Sequence, residues 1–273
     1  MKKILFFCFL LITVLSGCIT PTPEAPTQAP LMGTLSFAGS TTVQPLAARL
    51  GEAFKQQHSQ VSFDIAAGGS SVGIQAIKNG SVDIGMVSRH LSQEESIGLS
   101  IYPIAWDVIA VVVHADNMVE TLSLEQLRGI YMGEIVNWKE IGGSDQIIIP
   151  ITREQTSGTR TAFDELALEK KEPAAANIQS AVTAGDMAAL VAKNPAAIGY
   201  VGFGNLEKNL KVIKINAVAP TQSSARDGTY SLVRPLSLLT GSLSQPLAQK
   251  YIEFVLSDKG QKIIETSGWI PVK

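Results

Sequence analysis

The sequence predicts an α/β protein in which each of two lobes carries a mainly parallel sheet flanked by helices. Three observations predict it. Strand-like and helix-like runs alternate from about residue 33 to the C-terminus. Three Ser/Thr/Gly clusters, Gly39-Ser40-Thr41-Thr42, Gly69-Ser70-Ser71 and Thr156-Ser157-Gly158-Thr159, each follow a strand-like run and open a helix-like run. A long apolar, β-branched run at 104–114 separates the second cluster from the third. Ligands of such sheets bind outside the carboxyl ends of strands, at helix N-termini. One economical arrangement therefore sets the clusters in two lobes across a cleft, with the chain crossing near 104 and returning near 231.

The elements follow in order. Residues 34–38 read as a strand. Residues 43–57 read as an amphipathic helix, with Leu46, Leu50 and Phe54 at four-residue spacing. Residues 61–67 form a second strand, 72–78 a short helix ending at Asn79-Gly80, and 82–87 a third strand. Ser123-Leu124-Glu125-Gln126 caps a helix over 124–131. A buried-type strand at 147–151 leads to a helix at 160–170. Residues 183–193 read as a helix with Asp186 in its first turns. Strands at 197–201, 211–215 and 232–239 precede two helices, 245–256 and 258–266. There is no internal repeat.

The N-terminal segment is not part of this pattern. Lys2 and Lys3 precede an apolar run from Ile4 to Leu15, too short for a typical membrane span and suited to a signal peptide over 1–17. It ends in Leu15-Ser16-Gly17-Cys18, which resembles the lipobox of bacterial lipoproteins and makes Cys18 the expected lipid attachment site. Residues 18–32, rich in Pro and Thr, read as an extended tether. Cys8 lies in the segment to be removed, so the mature body has no disulfide to rely on and must be held by its core. The composition, 45% hydrophobic and 17% charged with a formal net charge of −2, argues against a nucleic-acid partner, which demands a basic face.

The clusters carry the chemistry. Hydroxyls and free N–H groups at a helix N-terminus hold a small anion without a metal or cofactor. Taken alone, Gly39-Ser40-Thr41-Thr42 also reads as an ordinary helix cap. Gly68-Gly69-Ser70-Ser71-Val72-Gly73 has more hydroxyls and glycines than a cap requires, and Gly69-Ser70-Ser71-Val72-Gly73 matches the nucleophile-elbow pattern with Ser71 at its centre. A hydrolase needs a histidine after the nucleophile and the acid, but His58, His90 and His114 are the only three and none follows 114. The third cluster has Arg153 just ahead of it, and a guanidinium grips an oxyanion with parallel hydrogen bonds. Ser88-Arg89 after the third strand offers a second cation, or a surface residue. Glu94-Glu95 reads as a solvated helix start. No metal-ligand spacing, Walker-type phosphate loop or dinucleotide fingerprint is present, so no cofactor is expected.

These motifs, in this order, resemble the phosphate-binding proteins of bacterial and archaeal ABC uptake transporters. The resemblance runs through Phe37-Ala38-Gly39-Ser40-Thr41-Thr42-Val43, the Gly68–Gly73 segment, Val82-Asp83-Ile84-Gly85-Met86-Val87-Ser88-Arg89, Arg153-Glu154-Gln155-Thr156-Ser157-Gly158-Thr159, Ala197-Ile198-Gly199-Tyr200, and Asp227-Gly228-Thr229-Tyr230 with Arg234-Pro235-Leu236. It implies a class II periplasmic-binding-protein fold, non-enzymatic, with a two-strand hinge between lobe 1 (33–104 plus 231–273) and lobe 2 (105–230). It implies a phosphate site of Ser40, Thr41, Thr42, Ser70, Ser71, Arg153, Ser157, Gly158 and Thr159, to which Ser88 and Arg89 are added from their position. It also implies a permease partner, membrane attachment by lipid, and a monomer. Longer family members carry an Asp after the third strand to accept the proton of hydrogen phosphate. Ser88-Arg89 stand there in this sequence, which opens sulfate, molybdate or tungstate as alternative ligands and leaves Asp107 as a candidate acceptor.

Overall fold

The structure is a computed structural model, and it describes residues 30–242 and 244–273. The expected signal peptide, Cys18 and all but the last residues of the tether lie outside the described residues. Residues 31–273 form one compact unit.

The chain opens with β1 (Met32–Gly39), α1 (Gln44–Lys55), β2 (Gln60–Ala67), α2 (Ser70–Lys78), β3 (Ile84–Val87) and a short α3 (Gln93–Ser96). The strand β4 (Leu99–His114) follows, then β5 (Thr121–Leu122), α4 (Leu124–Met132), β6 (Ile149–Arg153), α5 (Gly158–Ala167), β7 (Gln179–Ala181), α6 (Ala184–Lys193), β8 (Ala197–Gly202) and β9 (Leu210–Ile215). The chain ends with α7 (Gln222–Arg226), β10 (Val233–Gly241), α8 (Pro246–Val255), α9 (Asp258–Thr266) and β11 (Ile270–Pro271).

Two principal cores form around these elements. In the first, Leu46, Leu50 and Phe54 of α1 bury their four-residue stripe against Leu35 and Phe37 of β1, together with Tyr251 and Trp269. In the second, Val108 to Val113 of β4 pack with Trp138, Phe163 and Tyr200. The apolar run in β4 is continuous because that strand is covered on both faces.

β4 is a 16-residue strand that serves both cores. Residues 99–108 pair with β10, and 109–114 pair with β8 and β9. The outward and return passages, β4 and β10, run antiparallel. The flanking strands are parallel: β1 with β2 and β3 on one side, β6 with β7 and β8 on the other. The sheets are thus mixed. A chain that leaves one core and comes back must cross in opposite directions, so the crossing strands add an antiparallel seam to each parallel set.

Local signals account for the helix starts. Ser123 and Gln126 form a reciprocal capping box at α4, and Thr183 and Asp186 form one at α6. α5 begins at Gly158, two residues before the expected start, because Ser157 Oγ accepts from the Arg160 N–H. β4 reaches back to Leu99, and β1 starts at Met32, inside the expected tether. The elements α3, β5, β7, α7 and β11 have two to five residues each and are too short to show a period.

Phe163 is buried and stacks on Tyr200 with ring centroids 3.9 Å apart. Phe163→Ala is expected to cost about 3–5 kcal/mol, from lost transfer energy and the cavity left behind. Urea unfolding followed by circular dichroism measures it. A loss under about 1 kcal/mol contradicts a rigid second core.

Candidate functional site

The first two clusters follow strands that end in glycines with positive φ. At the end of β1, Gly39 has φ 134°, and a Cβ there would run into the Met86 carbonyl oxygen. The next residue is tied down through its N–H to that carbonyl at 2.9 Å. Ser40 Oγ accepts from the Thr42 and Val43 N–H groups and donates to Ser88 Oγ at 2.9 Å. At the end of β2, Gly69 (φ 88°) donates its N–H to the Gly39 carbonyl, joining the second cluster to the first. No side chain caps α2 at this point. Ser70 Oγ accepts the Ser88 N–H at 3.1 Å. Ser40, Ser70 and Ser88 therefore form one buried hydroxyl group at the carboxyl ends of β1, β2 and β3.

The third cluster faces this group directly. Thr42 and Thr159 hydroxyls meet at 3.0 Å. The Ser71 N–H donates to the Thr156 carbonyl at 3.2 Å. A Cβ built on Gly158 would fall on Ser70 Oγ, so glycine is what lets the two sides approach this closely. Thr41 Oγ1 accepts from Arg153 Nη2 and from the Ala184 N–H, each at 3.3 Å, and so reaches the start of α6.

Arg153 ends β6 and is 1% exposed. It donates to the Ala181 and Val182 carbonyls and to Thr41. Among the described residues it has no carboxylate partner. Burial, with the charge of Arg234 adding to it, holds its guanidinium below the ordinary value. Its backbone is fixed as well. The Arg153 N–H donates to Tyr200 Oη, and Arg160 Nη1 donates to the Arg153 carbonyl while Arg160 Nε pairs with Asp164 at 2.7 Å. A buried cation without a counter-ion among the described residues, close to hydroxyls and a helix N-terminus, has the chemistry to hold a small anion.

Of the expected residues, Ser40, Thr41, Thr42, Ser70, Ser88, Arg153, Ser157, Gly158 and Thr159 come together. The side chains of Ser71 and Arg89 are turned away from this group. Arg89 is held bidentately by Glu95, at 2.6 and 2.8 Å, and the Ser71 hydroxyl accepts from Arg89 at 3.4 Å. The charge of Arg89 is spent on that carboxylate, which also completes the capping box of α3 with Ser92. Both sides of this pair line a separate groove of about 860 Å³ with Gln155, Arg160 and Asp164. Glu94-Glu95 is thus only half a solvated helix start, because Glu95 is pulled inward. The elbow reading of Ser71 also lacks its base, since its hydroxyl meets an arginine and His90 beside it is exposed.

Two residues outside the expected ligand set complete the geometry. Arg234 of β10 and Asp107 of β4 are opposite each other in register, each 1% exposed, with Nη2 2.8 Å and Nε 3.1 Å from Asp107 Oδ2. Arg234 also donates to the Ser88 carbonyl and to Thr42 Oγ1. Asp107 Oδ1 accepts from the Phe203 N–H at 3.1 Å. Burial pushes the Asp107 carboxyl up against the pull of Arg234. Asp107 thus turns Oδ2 to Arg234 and Oδ1 to the Phe203 N–H. Among the described residues there is no group of three or more His, Cys, Asp or Glu that could hold a metal.

The profile of the PBP superfamily domain matches residues 24–259. The phosphate-binding protein PstS of Bacillus subtilis (strain 168) is 31% identical over 245 residues, covering 88% of this chain and 81% of that protein. PstS of Borreliella burgdorferi is 29% identical over an alignment of 286 positions spanning all of both chains. A Clostridium perfringens structure assigned as a phosphate ABC transporter substrate-binding protein with bound phosphate superposes with a TM-score of 0.86 at 37% identity, covering 88% of this chain and all of that one.

Two outcomes are expected from this site. Gly158→Ala holds the two sides apart without disturbing α5, since alanine suits a helix start better than glycine. The radius of gyration from X-ray scattering should rise; an unchanged radius contradicts the close approach. Burial raises the Asp164 carboxyl to about 6 from 3.8. Between about pH 4 and 6 the folded chain then holds a proton that the unfolded chain has released, so this group's contribution to stability falls as pH rises. Asp164→Asn should flatten that part of the unfolding profile, and an unaltered slope overturns the assignment.

Proposed function

This chain belongs to the PBP superfamily and, within it, to the phosphate-binding proteins of ABC phosphate transporters, and we propose that it captures inorganic phosphate between its lobes and delivers it to a transporter permease. The observation that carries this reading is Arg153, a buried cation with no carboxylate partner among the described residues, facing hydroxyls from the opposite side. In this reading Ser40, Thr41, Thr42, Ser70 and Ser88 supply one half of the ligand shell. Arg153, Ser157, Gly158 and Thr159 supply the other half. The lobes are 33–104 plus 231–273, and 105–230, with β4 and β10 as the hinge. The two hydrophobic cores support that division. A ligand that binds groups from both lobes favours their closure by its differential affinity.

The protein works outside the cytoplasmic membrane as a monomer, tethered through a lipid on Cys18. The Leu15-Ser16-Gly17-Cys18 sequence supports the anchor, and no helix among the described residues is long and apolar enough to cross a membrane. The protein performs no catalysis, in keeping with its family.

A second reading is favoured by one specific observation. Asp107 is turned to Arg234 and the Phe203 N–H, and Ser88 presents a hydroxyl where a carboxylate acceptor would sit. Sulfate, which needs no acceptor, is therefore a competing ligand, with molybdate and tungstate behind it. Calorimetric titration of residues 31–273 separates the readings. Phosphate should bind, and Arg153→Gln should weaken it about 10- to 150-fold, the worth of a charged hydrogen bond of about 1.5–3 kcal/mol. Sulfate binding as tightly as phosphate favours the broader oxyanion reading, and no binding of either removes both.

A further inference from the structure

The Arg234–Asp107 pair does more than fill the space behind the cleft. A guanidinium only donates hydrogen bonds. Arg234 Nη2 lies 3.4 Å from Thr42 Oγ1, so that oxygen accepts from it. The Thr42 hydroxyl proton is then available for its other neighbour, Thr159 Oγ1, at 3.0 Å. Thr159 in turn keeps its own proton for whatever lies next to it. Charge-assisted hydrogen bonds polarise the hydroxyls that follow them in a chain.

The same guanidinium grips the Ser88 carbonyl at 3.2 Å and so holds the end of β3, where Ser88 accepts from Ser40. Asp107 fixes the guanidinium by taking Nε and Nη2 on a single oxygen, while its other oxygen is held by the Phe203 N–H beyond the end of β8. Arg234 is thereby anchored from both cores and its remaining N–H groups are aimed at the hydroxyl cluster. Asp107 also cancels its charge, so Arg153 stays the one buried guanidinium in the cluster that lacks a carboxylate partner among the described residues.

We propose that Arg234, held by Asp107, is a positioning residue for the anion: it turns the Thr42 hydroxyl proton onto Thr159 Oγ1 and so leaves the Thr159 hydroxyl as the hydrogen-bond donor toward the ligand. This rests on the anion-binding reading above. It implies that the ligand meets a shell of donors on this side, which suits a fully charged oxyanion.

The test is a mutant cycle read by calorimetric titration with inorganic phosphate. Thr42→Val keeps the shape and removes the hydroxyl, and should weaken binding about tenfold, the worth of one hydrogen bond of about 1.4 kcal/mol. Thr42→Ser restores the hydroxyl and should bind within about twofold of the parent. The double variant Arg234→Met with Asp107→Asn removes both charges, while the amide oxygen of the introduced asparagine leaves the Phe203 N–H an acceptor. It should also bind about tenfold more weakly, and adding Thr42→Val to it should cost nothing further. A merely structural pair would lower the melting temperature but leave the cost of Thr42→Val unchanged. Where the double variant does not fold, Arg234→Leu with Asp107→Asn takes its place in the same cycle. Equal costs of Thr42→Val in both backgrounds, or a Thr42→Val protein that binds like the parent, overturns the proposal. A parent that binds no phosphate overturns the functional reading instead.

Discussion

Asp107 and Arg234 stand side by side on the two strands that pass between the cores, and both are removed from water. Each charge carries a desolvation penalty of several kcal/mol, which the partner and further hydrogen bonds must offset. That constraint orders the surroundings. Phe203 must offer its N–H to Asp107 from one core, and Ser88 must offer its carbonyl to Arg234 from the other. Gly202 must stay without a side chain, because a Cβ there would run into Asp107. The crossing strands are therefore locked in register where the two halves of the cleft begin.

From this point the hydroxyl clusters take their places. The chain turns sharply at Gly39 and Gly69, and α1 and α2 follow at once. The third cluster repeats the arrangement from the other side, with Arg153 as its cation. A small anion enclosed here would lose its hydration and gain donors fixed in advance, so little reorganisation opposes binding. Arg89, by contrast, carries its own counter-ion and cannot serve the same purpose.

Much of this was legible in the sequence. The stripe of Leu46, Leu50 and Phe54 gave away α1, and the β-branched run around Val108–Val113 gave away the crossing strand. The three clusters and Arg153 were visible because glycine, hydroxyls and charge coincide within a few residues. What escaped depends on long-range pairing. Arg234 and Asp107 are each a lone charge inside an apolar strand, which signals a buried partner, but only the register of β4 on β10 says that they are partners of each other. Arg89 turns from the cluster for a local reason. Glu95 sits six residues on, and the capping box it makes with Ser92 turns its carboxylate back toward the guanidinium. Ser92 and Glu95 had the right spacing for that box, so the competing partner was there to be read. The mixed strand directions follow from chain path rather than from any local pattern.

The central claim is that clusters from two sides make one oxyanion site. A crystal structure of the protein grown with phosphate tests it most directly. The account predicts a single enclosed tetrahedral ion, with the Arg153 guanidinium and the N–H groups at the start of α5 on one side and the hydroxyls of Ser40 and Ser70 on the other. An ion seated in the Arg89 groove instead, with the Arg153 cluster holding none, would contradict it.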